Sequence, residues 1–112
     1  MIARSKPSII TPEQKAFFDA FGFLVIRQAF DKIEVDLIRN AFETVMTRAL
    51  EKVGTTRDQL DSTFAIDPGF CHSHLDLLPL TEDDRIRGTA VALVGTGTFF
   101  KGSDAHLYMG DT

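Results

Sequence analysis

The chain has 112 residues, enough for one small domain at most. With 44% hydrophobic residues, 25% charged residues and a net charge of −4, its composition is that of an ordinary globular protein. Nucleic acid and anionic membranes both require a basic surface, so the acidic balance argues against either as a partner. No stretch approaches the roughly 20 apolar residues of a membrane span. The single cysteine excludes an internal disulfide, and we expect a cytoplasmic location.

The N-terminal third of the sequence begins with a predicted flexible arm at residues 1–10, which lacks the apolar run of a signal peptide. A first helix is predicted to follow, because Thr11 and Gln14 have the spacing of a capping box and Gly22 is a natural helix stop. Helical spacing places four apolar residues on one face, namely Ala16, Phe17, Ala20 and Phe21. The short apolar run at residues 23–27 is typical of a buried strand.

A long second helix is predicted from Lys32 to Val53, with Asp31 and Glu34 as its capping box and Gly54 as its stop. About 22 residues at 1.5 Å each give a rod of about 33 Å, which is long for a small domain. One face carries an apolar stripe and therefore needs a partner surface. The stripe consists of Ile38, Ala41, Phe42, Val45, Met46, Ala49, Leu50 and Val53.

The middle of the chain, residues 55–80, is predicted to be irregular, with a turn at Asp67-Pro68-Gly69. A third helix is predicted to begin with Thr81 as its cap and to end at Gly95. Acidic residues in its first turn favour the positive end of the helix dipole. The spacing predicts that Ile86, Ala90, Leu93 and Val94 face inward.

The last part of the chain, from Thr98 onward, has an extended pattern. Phe99 and Phe100 are predicted to begin a strand, which the segment 102–104 interrupts. Beyond it, Leu107 and Met109 alternate with His106 and Tyr108, so the two pairs are predicted to point to opposite faces of a strand.

Several segments carry a family resemblance through their order and spacing. They are Thr11-Pro12-Glu13-Gln14, Phe21-Gly22-Phe23-Leu24-Val25-Ile26-Arg27, Phe30-Asp31, Asp84-Arg85-Ile86-Arg87-Gly88, Gly102-Ser103-Asp104 and Leu107-Tyr108-Met109-Gly110-Asp111-Thr112. In this order they resemble the N-terminal portion of the phytanoyl-CoA dioxygenase family, whose members are Fe(II)- and 2-oxoglutarate-dependent oxygenases. The similarity covers most of residues 11–112 and is weak across 55–70.

The resemblance implies an α+β fold in which N-terminal helices flank the opening strands of an incomplete double-stranded β-helix, or jelly roll. In that family, a His-x-Asp after the Gly-Asp-Thr and a distant His bind the iron. The resemblance thus places the metal ligands after Thr112, with no catalytic or metal-binding residue in residues 11–112. It implies Fe(II), 2-oxoglutarate and a small-molecule or acyl substrate for a full-length parent, and no cofactor or activity for this fragment.

Three residues adjoin the strand on which the resemblance places the first ligands. His106, Tyr108 and Asp111 are therefore the candidates for a position beside the substrate pocket. Two of them also have a simpler interpretation, since His106 fits a half-exposed strand position and Asp111 can cap a turn with Gly110.

A competing metal site can be read from the sequence His74-Leu75-Asp76, which is formally a His-x-Asp. Cys71 and His72 precede it and His106 lies further along, so the ligand atoms are of the right kinds. However, two leucines and a proline follow at once, which does not favour a strand. A surface loop with solvated imidazoles is the preferred interpretation.

A second class of function also fits the sequence, namely a small helical interaction module without chemistry. The ten phenylalanines, against one tyrosine and no tryptophan, indicate either a substantial apolar core or a surface that a partner covers. Aromatic residues at helical spacing are usually core, and that is the interpretation we favour.

Overall fold

The computed structural model describes residues 10–59 and 64–108, which form a mixed helix-and-strand fold. The α-helices are α1 (Pro12–Phe21), α2 (Lys32–Lys52) and α3 (Asp84–Val94). The strands are β1 (Phe64–Pro68) and β2 (Asp104–Tyr108), and short 3₁₀ helices cover Arg57–Gln59, Phe70–His72 and Leu78–Glu82. The predicted N-terminal arm lies, except for Ile10, outside the described residues, as do Met109 and Asp111.

Helix α1 begins and ends where the sequence predicts. The Gln14 backbone N–H donates to Thr11 Oγ1 at 3.1 Å, and the Thr11 N–H donates to Gln14 Oε1 at 2.9 Å. At the other end, Gly22 adopts a φ of 80° and donates its N–H to the Phe18 carbonyl. A positive φ is easily adopted only by glycine, so this residue ends the helix.

The strand predicted at residues 23–27 is wrong, because the segment has no regular structure. A strand needs a partner for its backbone groups, and none pairs with this segment within the described residues. Phe23 instead packs edge-on against Phe17, with ring centroids 5.3 Å apart. The chain then turns at Gln28, which has a φ of 56°.

Helix α2 confirms both its predicted cap and the centre of its apolar stripe. Asp31 Oδ1 accepts from the Glu34 N–H at 2.8 Å, and Glu34 Oε1 accepts from the Asp31 N–H at 3.0 Å. Four stripe residues are fully buried, namely Ala41, Val45, Met46 and Leu50. The helix ends at Lys52, and Val53 is 74% exposed, so the buried stripe stops short of the predicted end.

The two strands pair antiparallel, with Phe64 opposite Tyr108 and Pro68 opposite Asp104. The prediction that residues 55–80 are entirely irregular is therefore wrong at β1. Proline is tolerated at the end of a strand, so Pro68 marks the strand end and its turn signal does not exclude the strand. The turn itself is confirmed, since Gly69 follows with a φ of 78°.

The final strand begins later than predicted. Residues 99–103 have no regular structure, and Phe99 is 76% exposed. The Ser103 carbonyl accepts hydrogen bonds from the backbone N–H groups of Gly69 and Phe70, at 2.6 Å and 3.0 Å. These bonds fix the chain at the entrance to β2, whereas no strand lies beside Phe99 and Phe100 within the described residues.

The core lies where α2 meets the 3₁₀ segments that follow β1. It contains Ala41, Val45, Cys71, Leu77 and Leu80, with Phe30, Leu37, Ile38 and Phe70 packed at its border. The sheet contributes Ala105, which is 6% exposed. The centre of the fold is therefore a helix-on-loop core with a small sheet at its side.

Helix α3 differs from its prediction in both its cap and its buried face. Asp83 caps it by accepting from the Arg85 N–H, whereas the Thr81 hydroxyl donates to the Leu78 carbonyl within the preceding 3₁₀ helix. The predicted inward residues Ile86 and Val94 are 46% and 64% exposed, while Arg85 and Thr89 are buried. Ala90 and Leu93 are partly buried, and Gly95 ends the helix as predicted.

Candidate functional site

The outer face of β2 carries the sequence-predicted residues His106 and Tyr108. Both are exposed, whereas the intervening Leu107 is partly buried and Ala105 is buried, which confirms the predicted alternation within β2. His106 Nδ1 lies 3.2 Å from the Tyr108 hydroxyl oxygen, a hydrogen bond whose direction depends on the histidine tautomer. The two side chains therefore form a polar pair on the accessible side of the sheet.

The second candidate, the His74-Leu75-Asp76 segment, lies in a loop of turns and bends and not on a strand. His74 Nδ1 accepts a hydrogen bond from the Asp76 backbone N–H at 3.0 Å and lies 3.9 Å from Asp76 Oδ2. The His72 ring packs against Phe100, with centroids 5.6 Å apart. His72 and His74 thus each contact another residue of the chain.

These positions do not form an iron site. Over residues 10–59 and 64–108, no group of three His, Cys, Asp or Glu side chains is arranged to hold a metal ion. A facial Fe(II) site needs two histidines and a carboxylate that converge on one cation. The described residues therefore do not fit Fe(II).

The most highly connected polar cluster is centred on Arg85, which the sequence pattern did not single out. Its Nε and Nη2 contact the two carboxylate oxygens of Asp83 at 2.9 Å and 2.7 Å. Its Nη1 donates to Glu34 Oε1 at 2.8 Å and to the Ala29 carbonyl at 3.2 Å. The guanidinium also lies over the Phe30 ring, with its central carbon 4.1 Å from the ring centroid.

The contacts of the cluster favour the charged forms of Arg85 and Glu34. Hydrogen bonds that Arg85 donates to Asp83, and then to Glu34, raise the pKa of Arg85 above its already high value. The hydrogen bond from Arg85 is the main reason why the pKa of Glu34 is lowered. Since arginine does not lose its proton in proteins, Arg85 cannot take part in proton transfer. Its arrangement fits an architectural role that joins the start of α2 to the start of α3.

One signal of this cluster was visible in the sequence. Glu34 completes the capping box of α2, and Arg85 directly follows three acidic residues at the start of α3. Hydrophobic spacing alone predicts that α3 buries Ile86, and it gives no reason to expect its neighbour Arg85 on the buried face.

Two cavities lie along the C-terminal half of α2 and share Arg48 and Ser73. The larger, of about 290 Å³, is lined by Arg48, His72, Ser73, His74, Leu75 and Leu78. The smaller, of about 150 Å³, is lined by Val45, Arg48, Ala49, Lys52, Asp67 and Ser73. A third, more open cavity of about 370 Å³ lies against α1 and includes Phe17, Phe23 and Val25.

Comparison with protein-family models, curated proteins and solved structures finds no match for this chain. Within the described residues, no helix is both long enough and apolar enough to cross a membrane.

Proposed function

We propose that this chain is the N-terminal part of an Fe(II)- and 2-oxoglutarate-dependent oxygenase that resembles the phytanoyl-CoA dioxygenase family. In this proposal the described residues have no catalytic role. They supply the helical layer and the first strands of a larger jelly roll, which would act on an organic small molecule or an acyl substrate.

The observation that carries the proposal is the position of β2. This strand ends at Tyr108, just before the Gly110-Asp111-Thr112 sequence on which the resemblance depends. It pairs with only one other strand within the described residues, and a two-stranded sheet is at best marginally stable by itself. His106 and Tyr108 lie on its exposed face, where an additional layer of the jelly roll would cover them.

Sequencing the source transcript beyond the codon for Thr112 tests the proposal directly. We expect an in-frame continuation that contains Trp-His-x-Asp within a few codons. The complete polypeptide should then bind one Fe(II), and replacing that histidine with alanine should abolish the binding. A stop codon after Thr112, or a continuation without the motif, would overturn the proposal.

A non-catalytic interaction module is the second candidate, and α1 is the observation that favours it. None of the ten residues of α1 is buried. Phe17 and Phe21 nevertheless lie on one face of the helix, with their ring centroids 4.8 Å apart. Isolated helices of this length are marginal in water, so a covering surface would stabilise α1. A partner protein could supply that surface as well as a larger parent domain could.

Thermal unfolding of residues 1–112 in the presence of a dye that binds apolar surface distinguishes the two candidates. The oxygenase proposal predicts strong dye binding at low temperature, because the apolar faces lack their sheet. A sharp transition at high temperature, without dye binding, would count against it and would favour the interaction module.

A further inference from the structure

We propose that the larger cavity beside Ser73 binds a small organic oxoanion, a carboxylate or phosphate group joined to an apolar portion. Helix α2 contributes Arg48 to this cavity, and the segment from the first 3₁₀ helix after β1 to the start of the next contributes the remaining lining residues, namely His72, Ser73, His74, Leu75 and Leu78. None of these residues has a role in the proposed oxygenase relationship.

The principal anion-binding group is Arg48. Its Nη1 donates to the Ser73 carbonyl at 3.4 Å, which is a long hydrogen bond, and it forms no ion pair with any described carboxylate. By contrast, Lys32 on the same helix contacts Asp36 at 2.7 Å. A guanidinium has five N–H donors, so most of those on Arg48 can bind the oxygens of a carboxylate or phosphate.

The histidine His74 adds a donor of defined orientation. Its Nδ1 accepts from the Asp76 backbone N–H, so in the neutral ring the proton is on Nε2. The Ser73 hydroxyl, in contrast, already donates to Asp67 Oδ2 at 2.5 Å. Among the described residues that line this cavity there is no carboxylate, which leaves its polar surface rich in N–H donors.

The smaller cavity extends the positive surface along α2. It shares Arg48 and adds Lys52, one helical turn further on, which forms no ion pair with any described residue. It also includes Asp67, whose carboxylate already accepts the hydrogen bond from Ser73. The two cations therefore outnumber the one carboxylate along the combined surface.

The negative end of the α2 dipole opposes anion binding, but the last turn of the helix is capped. The Leu50 carbonyl accepts from the Val53 and Thr55 N–H groups, and the Glu51 carbonyl accepts from Gly54. These hydrogen bonds partly neutralise the negative partial charge of the carbonyls at the C-terminal end of α2.

The apolar part of the ligand follows from the rest of the lining. Leu75 and Leu78 are 80% and 42% exposed, and a hydrocarbon group over them would remove apolar surface from water. The cavity volume of about 290 Å³ lies just below the usual range for ligand pockets, roughly 300–1,000 Å³, so the ligand must be small. A single ring that carries one anionic group has the right size.

The test is a titration of the full chain, followed by ¹H–¹⁵N NMR shifts of the Arg48 Nε–H and of the Ser73 and Leu75 amides. The probes are benzoate, phenyl phosphate, inorganic phosphate and benzyl alcohol. We expect saturable shifts with benzoate or phenyl phosphate, with a Kd of about 1 mM or tighter. Whichever of the two binds more tightly identifies the anionic group. Benzyl alcohol and inorganic phosphate each lack one part of the ligand and should bind more weakly.

The matched variants are Arg48→Gln and Arg39→Gln, which remove the same charge from the same helix. Arg39 lies outside the cavity and pairs with Asp36 at 3.4 Å. Arg48→Gln should weaken benzoate or phenyl phosphate binding by about tenfold or more, and Arg39→Gln should leave it unchanged. The proposal is overturned if benzyl alcohol binds as tightly as benzoate, if both variants bind like the parent chain, or if no probe gives a saturable shift.

Discussion

Arg85 and Glu34 are 51 positions apart in the sequence, yet they meet through a 2.8 Å hydrogen bond between Nη1 and Oε1. Glu34 Oε1 also accepts the Asp31 N–H, so one carboxylate caps α2 and holds α3 at the same time. The Arg85 side chain is only 8% exposed, and that of Asp83 is 1% exposed. This contact is therefore the main polar connection between the beginnings of the two helices.

Replacing Arg85 with methionine should destabilise the protein strongly. The variant keeps most of the side-chain volume but leaves the buried Asp83 and the partly buried Glu34 without their cation. Loss of one partner from a buried ion pair typically costs about 3–5 kcal/mol. Urea unfolding of the two proteins measures the difference in the free energy of unfolding.

Arg39→Met is the matched control for this prediction. Arg39 pairs with Asp36 at 3.4 Å, and its side chain is 66% exposed. Exposed pairs contribute about 0.2–1 kcal/mol, so this change should have little effect. Equal decreases in the free energy of unfolding for the two variants would show that the Arg85 cluster does not join α2 to α3 as its geometry indicates.

The charge of Glu34 should make stability depend on pH in the acidic range. Hydrogen bonds from Arg85 first, and then from the Asp31 backbone, lower the pKa of Glu34 in the folded protein. The unfolded chain should have the usual glutamate pKa of about 4.3. The stabilisation is then complete above that value and is lost as the pH falls through the lower folded pKa.

Glu34→Gln isolates this charge, because glutamine also completes a capping box. We expect the variant to be less stable than the parent near neutral pH, and the difference to shrink as the pH falls below about 4. Thermal melts at a series of pH values measure it. A difference that stays constant with pH would mean that the ionised carboxylate does not contribute to stability.

The local signals in the sequence were reliable because their chemistry is local. A capping box needs only two residues three positions apart, and both predicted boxes are present, at Thr11 and at Asp31. The helix stops at Gly22 and Gly95 likewise depend on the conformation of one residue. Such features require no knowledge of the rest of the fold.

The errors occurred where a distant partner determines the structure. Whether residues 23–27 or β1 form a strand depends on a neighbouring strand, and β1 finds its partner at residues 104–108. The buried face of α3 is set by Arg85, whose acceptors Ala29 and Glu34 lie more than fifty positions away. Hydrophobic spacing within one helix cannot report such contacts.

The position of the core, at the junction of α2 and the 3₁₀ segments, can be tested by replacing each of two leucines that are two positions apart. Leu77 is 0% exposed and belongs to the core, whereas Leu75 is 80% exposed. Leu77→Ala should cost about 2–5 kcal/mol, because it removes buried methyl groups and leaves a cavity. Leu75→Ala should change the free energy of unfolding by less than about 0.5 kcal/mol. If urea unfolding showed comparable decreases in the free energy of unfolding for the two variants, this position of the core would be contradicted.

The two capping boxes should differ in their effect on stability, although their local geometry is alike. Asp31→Ala removes the cap of a helix with four buried residues, and it should lower the free energy of unfolding by about 1 kcal/mol. Thr11→Ala removes the cap of α1, which has no buried residue, so it should loosen α1 without a comparable global loss. Hydrogen exchange resolves the two effects, with faster exchange confined to α1 in the Thr11 variant. An equal global loss from Thr11→Ala would instead indicate that α1 is packed against the body of the protein.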